Sequence, residues 1–310
     1  MTIEPEILKH EESISFALRA LYHSRGYLPY RMSKFEEYEL YVKNKDFLLS
    51  PEVITFTDTN GKLMALKPDV TLSIVRSSRP APGQVQKLYY DENVFRVSET
   101  SRRFREIRQA GLECLGAVDE RCVAEVLTLA TESLRLISGN YRLCVSLLGV
   151  VENMLDDLKL EGDVRRAVLR CMGEKNPHEL RAVCEGAGVK SRDALRLERL
   201  TLCGGSPRDA LAELKAIGCP ESELSNLARL DAALPPEAEG RVILDFSVLG
   251  DMRYYNGIAF QGFVRGVPSS VLSGGSYDRL LHRMGKPGSG IGFACYLDKL
   301  ERLEEVRDDA

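Results

Sequence analysis

Apolar residues recur at Ile3, Ile7, Leu8, Ile14, Ala17, Leu18 and Leu21, close to one face of a 3.6-residue period, and predict an amphipathic helix over 3–24. The period then changes. VITFTD (53–58) and KLMALK (62–67) alternate and are joined through Asn60-Gly61, a pair that tolerates positive φ, so they predict a β-hairpin. Asp69 is placed to cap a short helix over 70–77. Residues 85–90 and 94–97 read as strand, and after a charged stretch a further strand is predicted near 104–116. Helical spacing returns over 119–137, and 141–148 reads as a buried strand. From 151 to 239 the segments are successively helical, each bounded by Gly, Pro, Asn or Ser, the expected caps and stops. Strands resume at 241–249 and 257–266; after a glycine-rich passage the chain closes on strand IGFACYL (291–297) and helix DKLERLEEV (298–306). The sum is an α+β fold. Residues 1–150 and 240–310 build a predominantly antiparallel sheet flanked by helices, and 151–239 form an all-helical insertion ending at the Pro235-Pro236 linker.

The chain has 310 residues, 44% hydrophobic and 28% charged, enough for one large domain or two moderate ones. Its formal net charge of -4 gives no general attraction to polyanions, so a nucleic-acid contact would need a local basic patch. Eight cysteines (114, 122, 144, 171, 184, 203, 219, 295) lie without C-x-x-C spacing, and the charged start MTIEPEILKHEESIS lacks the apolar stretch of a signal peptide. These features predict a reduced, cytoplasmic protein with inert thiols, and no apolar run is long enough to span a membrane.

Several kinds of site are not indicated. G-x-x-x-x-G-K-[ST], G-x-S-x-G and H-E-x-x-H are absent, and His10, His23, His178 and His282 are far apart, so neither a metal nor a cofactor is expected. GSGIG (288–292) lacks dinucleotide-binding spacing and runs into a strand, as a tight turn with close backbone packing would. The informative segment is KLYYDENVFRVSETSRRFREIRQAGLECLG (87–116), with arginines at 96, 102, 103, 105 and 108 between two strand-like runs. A charge run by itself reads as a solvated face, but forked guanidinium groups on adjacent antiparallel strands can converge on one phosphate or carboxylate.

The order within that segment, an arginine after an apolar strand, a loop, Phe104-Arg105-Glu106 and then Gln109-x-Gly111-x-Glu113, resembles motif 2 of class II aminoacyl-tRNA synthetases, the histidyl type in particular. LKPDVT (66–71) is similar to the family's L-R-P-E-x-T, RYYNG (253–257) to the tail of R-G-L-D-Y-Y, SGGSYDRLL (273–281) to G-G-R-Y-D, and SGIGFACYLDKL (289–300) to motif 3. The resemblance implies a histidine-like ligand held by Asp69, Thr71, Arg96, Gln109, Glu113, Tyr254 and Tyr255, with Arg96, Arg103 and Arg105 as candidates for phosphate or another anion. Tyr254 and Tyr255, adjacent on what reads as a strand, are expected to face opposite sides, one of them into the core. Gly274 and Gly275 are consistent with close strand packing, and Cys295 with a buried apolar position.

The departures from the family pattern fall on its phosphate side. Aligned on the tyrosines, the family's catalytic arginine falls on Gly250 and its aspartate on Arg253; the motif 3 arginine falls on Lys299. Ser98, Ser276 and Ser33 stand where the motif 2 glutamate, the arginine of G-G-R-Y-D and the motif 1 proline are expected. Adenylation needs preorganised cations against a triphosphate, and Gly250 supplies none. A histidyl-tRNA synthetase continues past motif 3 into an anticodon-binding domain, whereas residues 300–310 are all that follow Lys299, so neither that domain nor a tRNA partner is expected.

The combination resembles the paralogous regulatory subunits of ATP phosphoribosyltransferase. That resemblance implies a non-catalytic, allosteric chain that assembles with a catalytic ATP phosphoribosyltransferase subunit, serves the first step of histidine biosynthesis and transmits feedback by histidine. A homodimeric core is implied for the N-terminal helix and residues 26–35. The enzymatic alternative is a minimal histidyl-tRNA synthetase or another amino-acid-activating ligase in which Arg253 or Lys299 substitutes for a missing arginine; a third is a binding module or sensor of other role.

Overall fold

A computed structural model describes residues 8–48, 52–98, 101–250, 252 and 254–300. Helix α1 (His10–Ser24) starts where Glu12 reaches back to the Lys9 amide, at 3.0 Å, and buries Ile14, Leu18 and Tyr22 on one stripe. Positions 3 and 7 of the expected helix lie outside the described residues. Strand β1 (Leu28–Pro29) follows, then a small antiparallel sheet, β2 (Phe35–Glu37), β3 (Thr55–Thr57) and β4 (Leu63–Leu66), in the order β2-β4-β3. Its β3–β4 turn is the one expected from Asn60-Gly61: Gly61 adopts φ +79°, and Asp58 Oδ1 accepts from the amides of Asn60 and Lys62, both at 2.8 Å. Helix α2 (Tyr38–Lys43) continues from β2. Asp69 does cap the next helix, α3 (Thr71–Ser77), accepting from Leu72 N at 2.8 Å.

The main sheet has nine strands, ordered β1-β5-β6-β12-β11-β10-β7-β9-β8 among the described residues. Its spine is the hairpin of β5 (Val85–Val97) and β6 (Phe104–Gly116), thirteen residues each, in register from Val97↔Phe104 to Val85↔Gly116. The sequence reading splits β5 at the polar stretch 91–93, yet the strand is continuous because each polar residue there has a partner. Asp91 takes Arg108 at 3.0 Å, Glu92 takes Lys67, and Asn93 donates to Glu106 at 2.5 Å. Next come β12 (Ser289–Tyr296), β11 (Leu272–Ser276), β10 (Ile258–Val264) and β7 (Tyr141–Leu147), each antiparallel to the strand before it; β9 (Val242–Asp245) is parallel to β7. Helix α4 (Glu120–Ile137), capped by Asp119 through the Cys122 amide at 2.9 Å, lies beside α1 and covers β7, β10 and β12.

The helical stretch consists of α5 (Leu148–Asp157), α6 (Gly162–Gly173), α7 (Pro177–Gly186), α8 (Ser191–Leu202), α9 (Pro207–Ala216) and α10 (Glu221–Ala233). Asn176 and Ser206 cap α7 and α9 just ahead of Pro177 and Pro207, as the sequence suggests. Two features differ from an isolated helical block. A two-residue strand, β8 (Gly204–Gly205), joins the sheet beside β9, invisible in the sequence because a glycine pair carries no hydrophobic period. The buried leucines of this block, Leu155, Leu180 and Leu197 among them, belong to the same hydrophobic cluster as Leu127, Leu143 and Phe260 of the sheet layer.

A second cluster, with Tyr41, Leu72, Ile74, Tyr90, Tyr254 and Tyr277, fills the space between α3, the small sheet and the main sheet. All eight cysteines are buried and free. No helix among the described residues is long and apolar enough to cross a membrane. Of the closing segment, the residues beyond Leu300 lie outside the description.

Leu127, fully buried on the inner face of α4, and Leu202, 62% exposed at the end of α8, give a direct check on this layering. Leu127→Ala should lower stability by about 2–5 kcal/mol in urea denaturation, whereas Leu202→Ala should stay within about 0.5 kcal/mol. Equal losses would contradict the placement of α4.

Candidate functional site

The β5–β6 hairpin presents alternate residues on one face, so Tyr90, Arg96, Arg105, Gln109 and Glu113 look the same way. Across the sheet that face is continued by small residues: Gly292 stands opposite Glu113, Gly275 opposite Gly292, and Ala259 opposite Gly275. They make a low floor. A Cβ on Gly292 would collide with Glu113 Oε2, and one on Gly275 would come within 2.5 Å of the Tyr255 ring, so only glycine admits these side chains here. Over the floor close the head of α3, with Asp69 and Thr71, and the loop between β9 and β10, with Tyr254 and Tyr255.

All seven residues expected to hold a histidine-like ligand line one pocket: Asp69, Thr71, Arg96, Gln109, Glu113, Tyr254 and Tyr255. Tyr90, Ser273, Tyr277 and Tyr296 line it too, and the sequence reading did not assign them. Tyr277 was within reach, being the tyrosine of the SGGSYDRLL segment already singled out; Tyr90 and Tyr296 carry no signal beyond strand parity. One expectation is corrected. Tyr254 and Tyr255 do not point to opposite faces, because they sit in a loop and not on a strand; their rings meet edge to face at 4.7 Å and both line the pocket.

The interior of the pocket is polar and buried. Glu113 is 2% exposed, accepting from Thr71 Oγ1 at 2.6 Å and from the Tyr277 hydroxyl at 2.5 Å. Burial pushes its carboxyl up to about 8, the two hydrogen bonds opposing and the Asp69 charge adding to the rise. Burial also raises Asp69, against the pull of the Leu72 amide and the Arg96 guanidinium. Arg96 Nε donates to the Pro68 carbonyl at 2.9 Å, which ties the end of β5 to the segment entering α3. The free volume among these groups is about 30 Å³, room for water and not for an amino acid until some of them move.

Beside it opens a cleft of about 330 Å³ lined by Arg96, Arg105, Gly250, Tyr255, Asp298 and Lys299 among others. Arg96 and Arg105 are direct cross-strand partners, as the convergence argument requires. Arg103 does not join them: it lies in the hairpin turn before the ladder begins, exposed, with its carbonyl taken by Ser98 N. Arg102 pairs with Glu52 and Arg108 with Asp91. The remaining cations are held by neighbours, Arg105 by Asp298 at 3.2 Å and Lys299 by the Ser270 carbonyl at 2.6 Å. Gly250 adopts φ +57°, and a Cβ there would come within 2.9 Å of the Tyr255 ring. Arg253 lies outside the described residues.

The family model for histidyl-tRNA synthetase matches residues 2–300. The chain belongs to the histidyl-tRNA synthetase family. Its fold is accordingly that of the class II aminoacyl-tRNA synthetases. Among curated relatives of this family, the ATP phosphoribosyltransferase regulatory subunit of Caldanaerobacter subterraneus is 29% identical over 304 residues, covering 96% of this chain and 79% of that protein. A crystal structure from Bacillus halodurans, described as an ATP phosphoribosyltransferase regulatory subunit/histidyl-tRNA synthetase, superposes with a TM-score of 0.83 at 25% identity, covering 98% of this chain and 81% of that one. The fold is shared as well by a chain of the HisG:HisZ ATP phosphoribosyltransferase complex of Thermotoga maritima, with a TM-score of 0.74 at 20% identity, covering 93% and 97% of the two chains.

Glu113 gives the site a pH signature. Its proton is held up to about pH 8 in the fold and is released near the ordinary 4.5 in the unfolded chain, so between these values the folded state carries more protons. Its contribution is therefore fully present below about 4.5 and is lost as pH rises through about 8. Glu113→Gln, which mimics the protonated acid, should flatten the fall in thermal midpoint across that window; an unaltered pH profile would refute the assignment.

Proposed function

We propose that this chain is a non-catalytic regulatory subunit of ATP phosphoribosyltransferase, that it assembles with the catalytic subunit of that enzyme, and that it senses histidine in the Asp69–Tyr255 pocket for feedback control of histidine biosynthesis. The reading rests on one contrast in the site. The groups suited to an amino acid are gathered in one buried pocket, while the adjoining cleft has Gly250 where the synthetase pattern has its catalytic arginine, and Arg105 and Lys299 are engaged by neighbours. An in-line attack of a carboxylate on ATP builds negative charge that must be met by cations already in place; a binding pocket has no such requirement. Several curated relatives are named as regulatory subunits of that enzyme, which supports the reading.

The mechanism is a shift between states. Histidine would place its α-ammonium group against Asp69 and Thr71 and its imidazole between Glu113 and the tyrosines. Because the pocket is closed to about 30 Å³, the ligand favours a conformation in which the Tyr254–Tyr255 loop has moved. Only that difference in affinity between conformations can carry a signal to a partner.

The second reading, an amino-acid-activating ligase, is favoured by the completeness of the same pocket. Histidine-dependent exchange of pyrophosphate into ATP separates the two. The purified chain is expected to show none, and a catalytic ATP phosphoribosyltransferase subunit is expected to become active and histidine-inhibited on mixing with it; robust exchange by the chain alone would establish the ligase. For the pocket, calorimetry with histidine should show Gln109→Ala weakened about 10-fold or more, roughly 1.4 kcal/mol, and equal affinities would remove the site assignment.

A further inference from the structure

A second cavity, of about 550 Å³, lies on the other side of the β9–β10 loop, between the first turns of α4, the length of α10 and the ends of β7, β10 and β11. Its volume is in the range of small-molecule sites and, as in such sites, more of the lining surface is apolar than polar. Leu147, Leu230 and Ile258 form an apolar wall. Glu223 of α10 supplies the polar anchor. It is half-buried, with burial raising its carboxyl, and Oε1 rests over Gly149, where a Cβ would come within 2.8 Å. Its hydrogen-bonding neighbour is the neutral Asn226; of the two arginines that line the cavity, Arg229 on the same helix is committed to Glu120 at 2.8 Å and to Asn226 at 3.1 Å, and Arg121 on the first turn of α4 is exposed to solvent. A partly desolvated carboxylate beside apolar surface favours a cation and rejects an anion.

We propose that this cavity is a ligand site separate from the amino-acid pocket, for a small molecule that carries a protonated amine on a compact apolar body. The amine sits against Glu223, and the body against Leu147, Leu230 and Ile258. Gly257 and Ser276 also line the cavity, and they immediately adjoin the loop of Tyr254 and Tyr255 and the residue Tyr277. An occupant therefore touches the backbone that carries three tyrosines of the amino-acid pocket.

The test uses the full chain with 2-phenylethylamine and its isosteric anion, 3-phenylpropionate, in ligand-observed NMR titrations. The amine should bind at least ten-fold more tightly than the acid. Glu223→Gln should weaken it at least ten-fold with an unchanged thermal midpoint. Ala233→Trp, at the exposed end of α10, should close the mouth and remove binding, and Gln109→Ala should leave it unaltered. No binding of the amine, equal binding of amine and acid, or amine binding that follows Gln109→Ala and ignores Glu223→Gln would overturn the proposal. None of these outcomes depends on whether histidine binds.

Discussion

The site depends on how closely side chains can approach the central sheet where Gly275 and Gly292 face the β9–β10 loop and β6. With any larger residue at these two points, the Tyr255 ring and the Glu113 carboxylate would be pushed off the floor. Tyr255 packs edge to face on Tyr254, and Tyr254 lies against Tyr277, with ring centroids 6.1 Å apart; Tyr277 in turn donates to Glu113. The small residues thus determine the depth of the pocket, and the tyrosines its walls. That sequence of contacts is also what joins α3, β6, β11 and the loop into one packed unit, since Tyr254 and Tyr277 belong to the second hydrophobic cluster.

Two adjoining spaces on this face have opposite electrostatic character. The inner one holds Asp69 and Glu113, both raised by burial, with Arg96 as the cation at its edge. Desolvation makes it costly for both carboxylates to be charged without a cation between them, so the inner space favours a ligand bearing positive charge. The outer cleft holds Arg105 on the solvent side, paired with Asp298, and Lys299 lowered by burial and drawn to a carbonyl. A lysine in that position retains charge but lacks the planar fork that grips a phosphate at two points. The outer cleft is therefore the weaker anion-binding space, and it is where Gly250 and Lys299, two of the departures from the family pattern, lie.

Much of this was legible in the sequence, for identifiable reasons. Segments whose pattern matches their environment, such as α4, the β3–β4 hairpin and the buried β7, are where the periodicity placed them. The failures come where neighbours distant in sequence overrule local pattern. Asp91, Glu92 and Asn93 break the alternation of β5 and would end an isolated strand, but Arg108, Lys67 and Glu106 supply their partners. Tyr254 and Tyr255 obey strand parity only if they lie on a strand, and the chain there turns. The Tyr255 ring packs on Gly250 and Gly275 and against Tyr254, contacts that no local rule encodes. Motif spacing found seven pocket residues because short segments keep their order; Tyr90 and Tyr296 escaped because they enter the pocket through sheet register.

The closed state of the pocket bears on how a histidine-sensing chain could act. Thr71, Glu113 and Tyr277 already satisfy one another, so under the proposed function a ligand entering the 30 Å³ space would exchange these bonds for its own and displace the aromatic loop. The exchange of hydrogen bonds is close to balanced, so under the proposed function the loop is the part whose position would have to differ between empty and occupied states. The β9–β10 loop connects the strand that borders the helical stretch, β9, to the sheet centre at β10. A displacement there reaches both layers of the fold through covalent connection. Under the proposed function, the glycine floor would fix where a ligand sits, and the loop above it would be the element through which occupancy is felt elsewhere on the chain.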